Sequence, residues 1–169
     1  MSAVEAFNSL PAEQLRDDLA ACCAAPDWCA TVLSGRPYGK RSEIVGAADA
    51  AARGLSWADV LVALSAHPRI GERAQGDSRE AAWSRSEQAA AATDGDAATA
   101  AALVSANRAY EERFGHVFLI FASGRSPDEV LAAARERLGN DEATERAVVT
   151  DELRKIALLR LERLLDALG

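Results

Sequence analysis

Apolar residues recur at helical spacing along most of the chain. After Ser56, a residue type that caps helix N-termini, Val60, Leu61 and Leu64 follow at intervals that place them on one helical face. Proline, glycine and further capping residues divide the rest of the chain into helices of ordinary length. The predicted helices span residues 11–22, 27–33, 42–52, 56–66, 79–92, 96–114, 126–139 and 141–167.

One apolar run breaks this pattern. Residues 116–122 read His-Val-Phe-Leu-Ile-Phe-Ala and lie between Gly115 and Gly124. A run of this length suits a strand, but the chain offers no second strand to pair with it, so we expect a buried extended segment near 117–122. The predicted fold class is all-α. It is a single compact multi-helix domain over residues 1–169, with that short extended segment and a long C-terminal helix capped by Asn140.

Composition narrows the class of protein. The chain has 169 residues, of which 49 % are hydrophobic and 27 % are charged, the balance of a soluble globular domain. Its 19 basic and 26 acidic residues give a net charge of −7, which disfavours nucleic acid as a partner. No apolar run approaches the ~20 residues that span a bilayer, and the N-terminus lacks the pattern of a secretory signal. We therefore expect a cytoplasmic protein with no membrane contact.

The cysteines and histidines indicate no metal site. Cys22, Cys23 and Cys29 lie in one N-terminal stretch, and their odd number and close spacing favour reduced thiols. The chain has only two histidines, His67 and His116, and no CxxC or HExxH pattern. Nothing in the sequence gives His116 a role.

His67 is the first candidate for chemistry. It precedes Pro68, and a proline excludes the residue before it from the α region, so His67 is predicted to end the helix 56–66. The negative end of a helix dipole favours a protonated imidazole, which could transfer a proton. The alternative is that the ring only caps the last carbonyls of the helix.

A second group of candidates follows on one helix. Ser84, Glu87 and Gln88 stand at i, i+3 and i+4, so a hydroxyl, a carboxylate and an amide project from one face. Such a face could bind a small polar ligand, and a solvated polar surface explains it equally well.

Arg160 is the third candidate. In the last helix it lies within an apolar stripe that includes Ile156 and Leu164, beside a second stripe of Leu158, Leu161 and Leu165. An arginine buried there needs an anion, either a carboxylate side chain or a ligand. The alternative is a guanidinium that extends along the surface to water.

The fourth candidate is the run Leu119–Ser123 beside Gly124. An extended backbone without a sheet partner must still place its N–H and C=O groups. A planar ligand rich in amide groups could accept them, and so could another loop.

Taken together and in order, these residues resemble one known family, the OHCU decarboxylases, which act on 2-oxo-4-hydroxy-4-carboxy-5-ureidoimidazoline. The resemblance runs from Phe7 to Leu164. It is carried by His67-Pro-Arg-Ile-Gly-Glu72, Ser84-x-x-Glu87-Gln88, Asn107-x-x-Tyr110-x-x-x-Phe114-Gly115 with the apolar run, Arg137-Leu-x-Asn140 and Lys155-Ile156-Ala157-x-x-Arg160-Leu161.

The resemblance implies an all-helical, homodimeric enzyme of urate degradation that needs no cofactor and releases (S)-allantoin and CO₂. It implies that His67 is catalytic and moves a proton, as base or as acid, and that Glu87 orients His67 or accepts from the substrate hydroxyl. It further implies that the substrate is bound by Pro68, Ser84, Arg85, Ser86, Glu87, Gln88, Leu119, Ile120, Phe121, Ala122, Ser123 and Arg160.

Three other functions fit the sequence less well. A binding module on the same fold would be expected to lack His67, Glu87 or Arg160, and all three are present. A different decarboxylase or lyase is disfavoured only by the matches at Ser84 to Gln88 and at Arg160. A DNA-binding regulator is disfavoured by the charge and by the lack of a basic recognition helix.

Overall fold

The computed structural model describes residues 1–69, 79–87 and 97–169. Over these ranges the chain forms nine helices and no strand, as the fold class predicts. The helices are α1 (Ala3–Ser9), α2 (Ala12–Cys22), α3 (Pro26–Ser34), α4 (Arg41–Arg53), α5 (Trp57–Leu64), α6 (Arg79–Glu87), α7 (Ala97–Phe114), α8 (Pro127–Arg137) and α9 (Glu142–Leu168).

The chain divides into two compact units. The first comprises Met1–Ala63 and Leu153–Gly169, and the second comprises Leu64–Glu152. Helix α9 contributes its first part to the second unit and its remainder to the first. That residues 1–169 form one domain stays a prediction.

The first unit is built on apolar helix faces. Helix α3 packs on α2 and on α4, and the indole Nε1 of Trp28 donates to the carbonyl oxygen of Ala48 at 3.0 Å. The C-terminal part of α9 supplies a broad buried face. Large buried apolar side chains of this unit include Phe7, Leu15, Leu19, Trp28, Val32, Ile44, Leu153, Leu161, Leu164 and Leu165.

The second unit is organised around α7 and α8, which pack against each other. Helix α8 begins with a complete capping box, since the Ser126 hydroxyl accepts from the Glu129 N–H and the Glu129 carboxylate accepts from the Ser126 N–H. The apolar cluster of the second unit comprises Leu103, Ala106, Tyr110, Phe118, Ile120, Ala122, Val130, Leu131 and Ala134.

Two local features of the structure differ from the predictions. Helix α1 was not predicted, although Ser2 and Glu5 form a capping box at its start. The residue that caps α9 is Asp141, whose carboxylate accepts from the Thr144 N–H at 2.7 Å. Asn140, the predicted cap, instead donates from Nδ2 to Glu145 at 3.1 Å.

The predicted second stripe of α9 is not separate from the first. Leu161 and Leu165 are buried with Ile156 and Leu164 on one continuous face, and Leu158 at the edge of that face is half-buried. Residues 156, 160 and 164 on one side and 161 and 165 on the other lie close enough around a helix to form a single wide surface.

Candidate functional site

His67 lies in the turn that follows α5. The helix ends at Leu64, two residues before the predicted end, and the His67 N–H donates to the Leu64 carbonyl oxygen at 3.0 Å. His67 and Pro68 are both half-buried. The next residue, Arg69, pairs through Nε with Glu111 of α7 at 2.6 Å. Both His67 and Pro68 are therefore partly accessible to solvent.

Helix α6 buries the two polar residues that the spacing placed on one face. Ser84 is 3 % exposed and Glu87 is 7 % exposed, so a solvated polar face is wrong for this pair. Arg85 is half-buried and Ser86 is exposed. Gln88 lies outside the described residues.

Residues 117–122 form neither helix nor strand, as expected for an extended segment without a sheet partner. Leu119, Ile120 and Ala122 are buried, while Phe121 and Ser123 are half-buried. The backbone of residues 119 and 121 forms hydrogen bonds with side chains rather than with another loop.

Along this segment, residues whose backbone is hydrogen-bonded to a side chain alternate with one whose backbone is not. The Leu119 carbonyl oxygen accepts from Arg137 Nη1 at 2.7 Å, and the Phe121 N–H donates to Glu152 at 3.3 Å. The Phe121 carbonyl oxygen accepts from Arg125 Nε at 2.9 Å. Among the described residues, neither the N–H nor the C=O of Ile120 makes a hydrogen bond. Side chains therefore bind the Leu119 C=O and the Phe121 N–H, whereas the N–H and C=O of Ile120 remain available as a donor and an acceptor.

Two glycines delimit the segment. Gly115 has φ +80° and its N–H donates to the Glu111 carbonyl oxygen at 2.8 Å, which ends α7. Gly124 has φ +78° in the turn where the Arg125 N–H donates to the Ala122 carbonyl oxygen at 3.0 Å. Both positions are in the left-handed region that favours glycine, so any other residue would strain the ends of the segment.

A buried ion pair contacts the segment through one of its members, Arg137. Arg137, at the end of α8, pairs with Glu145 of α9, with Nη2 and Nε 2.6 Å and 2.9 Å from Oε2. The Tyr110 hydroxyl donates to the same carboxylate. Burial, together with this hydrogen bond, raises the pKa of Tyr110 and keeps the phenol neutral. The Arg137 guanidinium also lies over the Phe118 ring, 4.5 Å from its centroid.

Sequence reasoning gave these residues no role. Tyr110 and Arg137 lie within the sequence motifs without a predicted function, and Asn140 is predicted only to cap the last helix. Glu145 and Glu152 are not among the predicted site residues. The available signal was the spacing of the two glutamates, seven residues apart on one face of α9. Spacing alone does not distinguish a buried carboxylate from an exposed one.

Arg160 belongs to the first unit, whereas His67, Ser84, Glu87 and residues 119–123 belong to the second. The Arg160 side chain does not reach solvent, because the residue is 1 % exposed, and its Nη1 donates to the Ala21 carbonyl oxygen at 3.2 Å. The prediction of burial is confirmed and the alternative of a surface guanidinium is wrong.

The three cysteines are buried thiols, as expected. Burial raises the pKa of Cys23 to about 11, an effect that the positive charge of Arg160 partly offsets. Burial likewise raises the pKa of Cys29 to about 12. Within the described ranges, no cluster of three or more His, Cys, Asp or Glu side chains could hold a metal ion. Over the same ranges, no helix has both the length and the apolar content of a membrane span.

Comparison with known proteins gives consistent matches. Residues 8–162 match the family model described as OHCU decarboxylase. Over 142 residues the chain is 34 % identical to 2-oxo-4-hydroxy-4-carboxy-5-ureidoimidazoline decarboxylase of Amia calva, covering 83 % of this chain and 81 % of that protein. Over 150 residues it is 32 % identical to the uric acid degradation bifunctional protein TTL of Arabidopsis thaliana, covering 88 % of this chain. That match spans only 46 % of the plant protein, about half its length.

A solved structure gives the same picture. The fold matches the crystal structure of an OHCU decarboxylase in the presence of (S)-allantoin with a TM-score of 0.76 and 29 % sequence identity. The match covers 89 % of this chain and 98 % of the other.

Proposed function

The chain belongs to the OHCU decarboxylase family, and from that premise we propose that it converts 2-oxo-4-hydroxy-4-carboxy-5-ureidoimidazoline to (S)-allantoin and CO₂ in urate degradation. The observation that carries the proposal is the match over nearly the whole chain to an OHCU decarboxylase crystallised in the presence of (S)-allantoin. The burial of Ser84 and Glu87 on one face of α6 supports it.

The reaction places specific demands on the protein. When the bond to the carboxylate breaks and CO₂ leaves, its electron pair moves towards the neighbouring C=N bond, and a C=C bond forms between the two ring carbons. The hydroxyl on the carbon that lost CO₂ then gives up its proton and becomes a carbonyl, while the neighbouring carbon, which bears the ureido group, receives a proton. This substrate carries its own electron sink, because the carboxylate lies beside a ring carbon double-bonded to nitrogen. A cofactor that supplies a sink is therefore not required. The protein must orient the carboxylate, stabilise developing charge and deliver a proton to one face of the ring.

We assign the proton transfer to His67. Its half-buried position in the turn after α5 suits a group that must meet a substrate and still exchange protons with water. The ring either takes a proton from the substrate hydroxyl or donates one to carbon. Pro68 restricts the backbone conformations open to His67.

We assign orientation of the substrate to helix α6. The buried Glu87 carboxylate accepts from the substrate hydroxyl or orients His67, and the buried Ser84 hydroxyl binds a ring or ureido group. Arg85, Ser86 and Gln88 are also proposed to bind the substrate, and the support for this is the family resemblance.

The segment 119–123 supplies backbone contacts. Ile120 offers an N–H and a C=O that no described residue uses, and this donor–acceptor pair complements a ureide, which also carries an N–H beside a C=O. Amide groups of the substrate thereby satisfy backbone groups that would otherwise be buried at a cost.

Arg160 is proposed to hold a carboxylate or carbonyl oxygen of the substrate. Its planar guanidinium has five N–H donors in a fixed fork, suited to bidentate binding of a carboxylate. The support is its burial within α9 and its place in the family motif.

Homodimer formation and a cytoplasmic location are further proposals. The first is supported by the family resemblance, and light scattering of the purified protein tests it. The second is supported by three cysteines that remain thiols, as in a reducing compartment.

Circular dichroism tests the reaction directly. Urate oxidase and 5-hydroxyisourate hydrolase supply fresh substrate, and the allantoin signal is followed with and without this protein. Spontaneous decay protonates a planar carbon from both faces and gives racemic allantoin, so we expect a signal only when the protein is present. Traces that match with and without the protein would contradict the proposal and favour a binding module or another substrate.

A further inference from the structure

Two charged side chains form hydrogen bonds with the backbone of the extended segment. Arg137 donates to the Leu119 carbonyl oxygen at 2.7 Å, and Glu152 accepts from the Phe121 N–H at 3.3 Å. Both residues are buried, at 7 % and 6 % exposed. The peptide groups that they hold lie on either side of Ile120, whose own N–H and C=O have no partner among the described residues.

The position of the Arg137 guanidinium is determined by several contacts at once. Nε and Nη2 donate to Glu145, Nη1 donates to Leu119, and the face of the group lies over the Phe118 ring. The carboxylate that receives Arg137 also accepts from Tyr110 and Asn140. A lysine ammonium, which is a single point of charge, can pair with Glu145 but cannot reproduce this fork.

Stability alone is a weak explanation for this arrangement. A buried ion pair loses much of its attraction to the cost of desolvation, and apolar residues of similar volume often serve equally well. A buried network does, however, define one arrangement of the groups that it contacts, because each donor and acceptor must be satisfied. Here the contacted groups are the peptides of 119 and 121.

We propose that Arg137 and Glu152 are positioning residues that fix the peptide groups on both sides of Ile120, so that the Ile120 N–H and C=O face the ureide groups of the substrate. This inference rests on the proposed function. Neither residue touches the substrate in this account, and both act through the backbone.

Paired variants test the inference. Glu152→Gln keeps an oxygen that accepts from the Phe121 N–H, whereas Glu152→Met has similar size and no such acceptor. Arg137→Lys keeps a positive charge that can pair with Glu145, but it loses the N–H group that donates to the Leu119 carbonyl oxygen. KM and kcat are measured for each variant with freshly generated substrate, and thermal denaturation reports the stability of each.

We expect Glu152→Met and Arg137→Lys to raise KM by on the order of tenfold, the loss that follows when one hydrogen bond to substrate is misplaced. The change in kcat should be smaller, since these contacts bind substrate and transition state alike. Glu152→Gln should restore a KM near that of the wild type.

A purely structural role gives a different result. Loss of folded protein lowers the apparent kcat and leaves KM unchanged, and that outcome for Glu152→Met and Arg137→Lys would overturn the inference. An equal rise in KM for Glu152→Gln and Glu152→Met would also overturn it. A wild-type protein without turnover would instead contradict the proposed function, so the two failures are distinguishable.

Discussion

The two units differ in what fills their interiors. In the first unit the large buried side chains are mostly aliphatic or aromatic, and polar groups such as Trp28 and Tyr38 donate to single backbone carbonyls at Ala48 and Val32. In the second unit the interior contains a charged pair, Arg137 with Glu145, beside the buried Glu152. Within α9, the first part buries Glu145 and Glu152, whereas the second part buries leucines around one arginine, Arg160.

The difference shows which physical effect defines each region. Apolar packing is non-directional, so the first unit needs side chains of the right size more than an exact arrangement of donors. Hydrogen bonds to buried charges are directional and costly to leave unmade, so the second unit needs specific partners at specific positions. The residues proposed for proton transfer and for backbone contacts belong to this second, more demanding region.

The largest effect on stability is expected from breaking the ion pair. Glu145→Ala leaves the Arg137 charge buried without its carboxylate, a change that destabilises by about 3–5 kcal/mol. Glu142→Ala is the matched control, because that exposed glutamate in the same helix pairs with Arg146 at i+4, and its loss should cost about 0–1 kcal/mol. Urea denaturation measures both. Equal free energies of unfolding for the two variants would show that the buried ion pair does not contribute to the stability of the second unit.

A graded truncation tests the apolar interior of the first unit. Ile44 in α4 is fully buried, so Ile44→Ala should destabilise by about 2–5 kcal/mol and Ile44→Val by about 0.5–1.5 kcal/mol. The specific activity per folded molecule should remain that of the wild type in both variants. A rise in KM, or a fall in kcat that exceeds the loss of folded protein, would show that this interior also affects the reaction.

Alkaline pH should act on the first unit through its thiols. The folded chain holds the pKa of Cys23 at about 11 and that of Cys29 at about 12, whereas the ordinary value is 9.0. Above pH 9 the unfolded chain therefore binds fewer protons than the folded chain, so the free energy of unfolding falls as pH rises from 9 towards 11.

Denaturation at pH 8 and pH 10 measures this fall, and the Cys23→Ala, Cys29→Ala double variant should show a smaller one. Tyr110 and Tyr38, whose pKa values are also raised by burial, contribute to the slope that remains. An identical pH dependence in the wild type and the double variant would contradict the assignment to the thiols.

Local rules predicted most of the fold. Helices α2, α3 and α4 start and end within one residue of the predicted limits, because proline, glycine and apolar spacing act over a few residues. The rules failed where two local signals competed. Asn140 and Asp141 are both capping residues, and Asn140 is drawn away from the cap by the buried carboxylate of Glu145.

The candidate site was predictable in part. The spacing of Ser84 and Glu87 placed them on one face, and the apolar stripe around Arg160 predicted its burial. The sequence did not reveal that Arg137 and Glu152 hold residues 119 and 121, because those contacts join positions 18 and 31 residues apart. Tertiary contacts of that range leave no periodic pattern in the chain.

The most direct test of the central claim compares the two histidines, His67 and His116. His116 lies beside Phe114 and Tyr110 and has no assigned role in the reaction, so His116→Asn is a matched control for His67→Asn. The rate and handedness of allantoin formation are measured for both by circular dichroism. A positioned acid–base group contributes about 10²–10⁴-fold, so His67→Asn should lose turnover by that factor while its helical spectrum is unchanged, and His116→Asn should stay close to wild type. Turnover by His67→Asn at the wild-type rate, with the same enantiomer, would contradict the account.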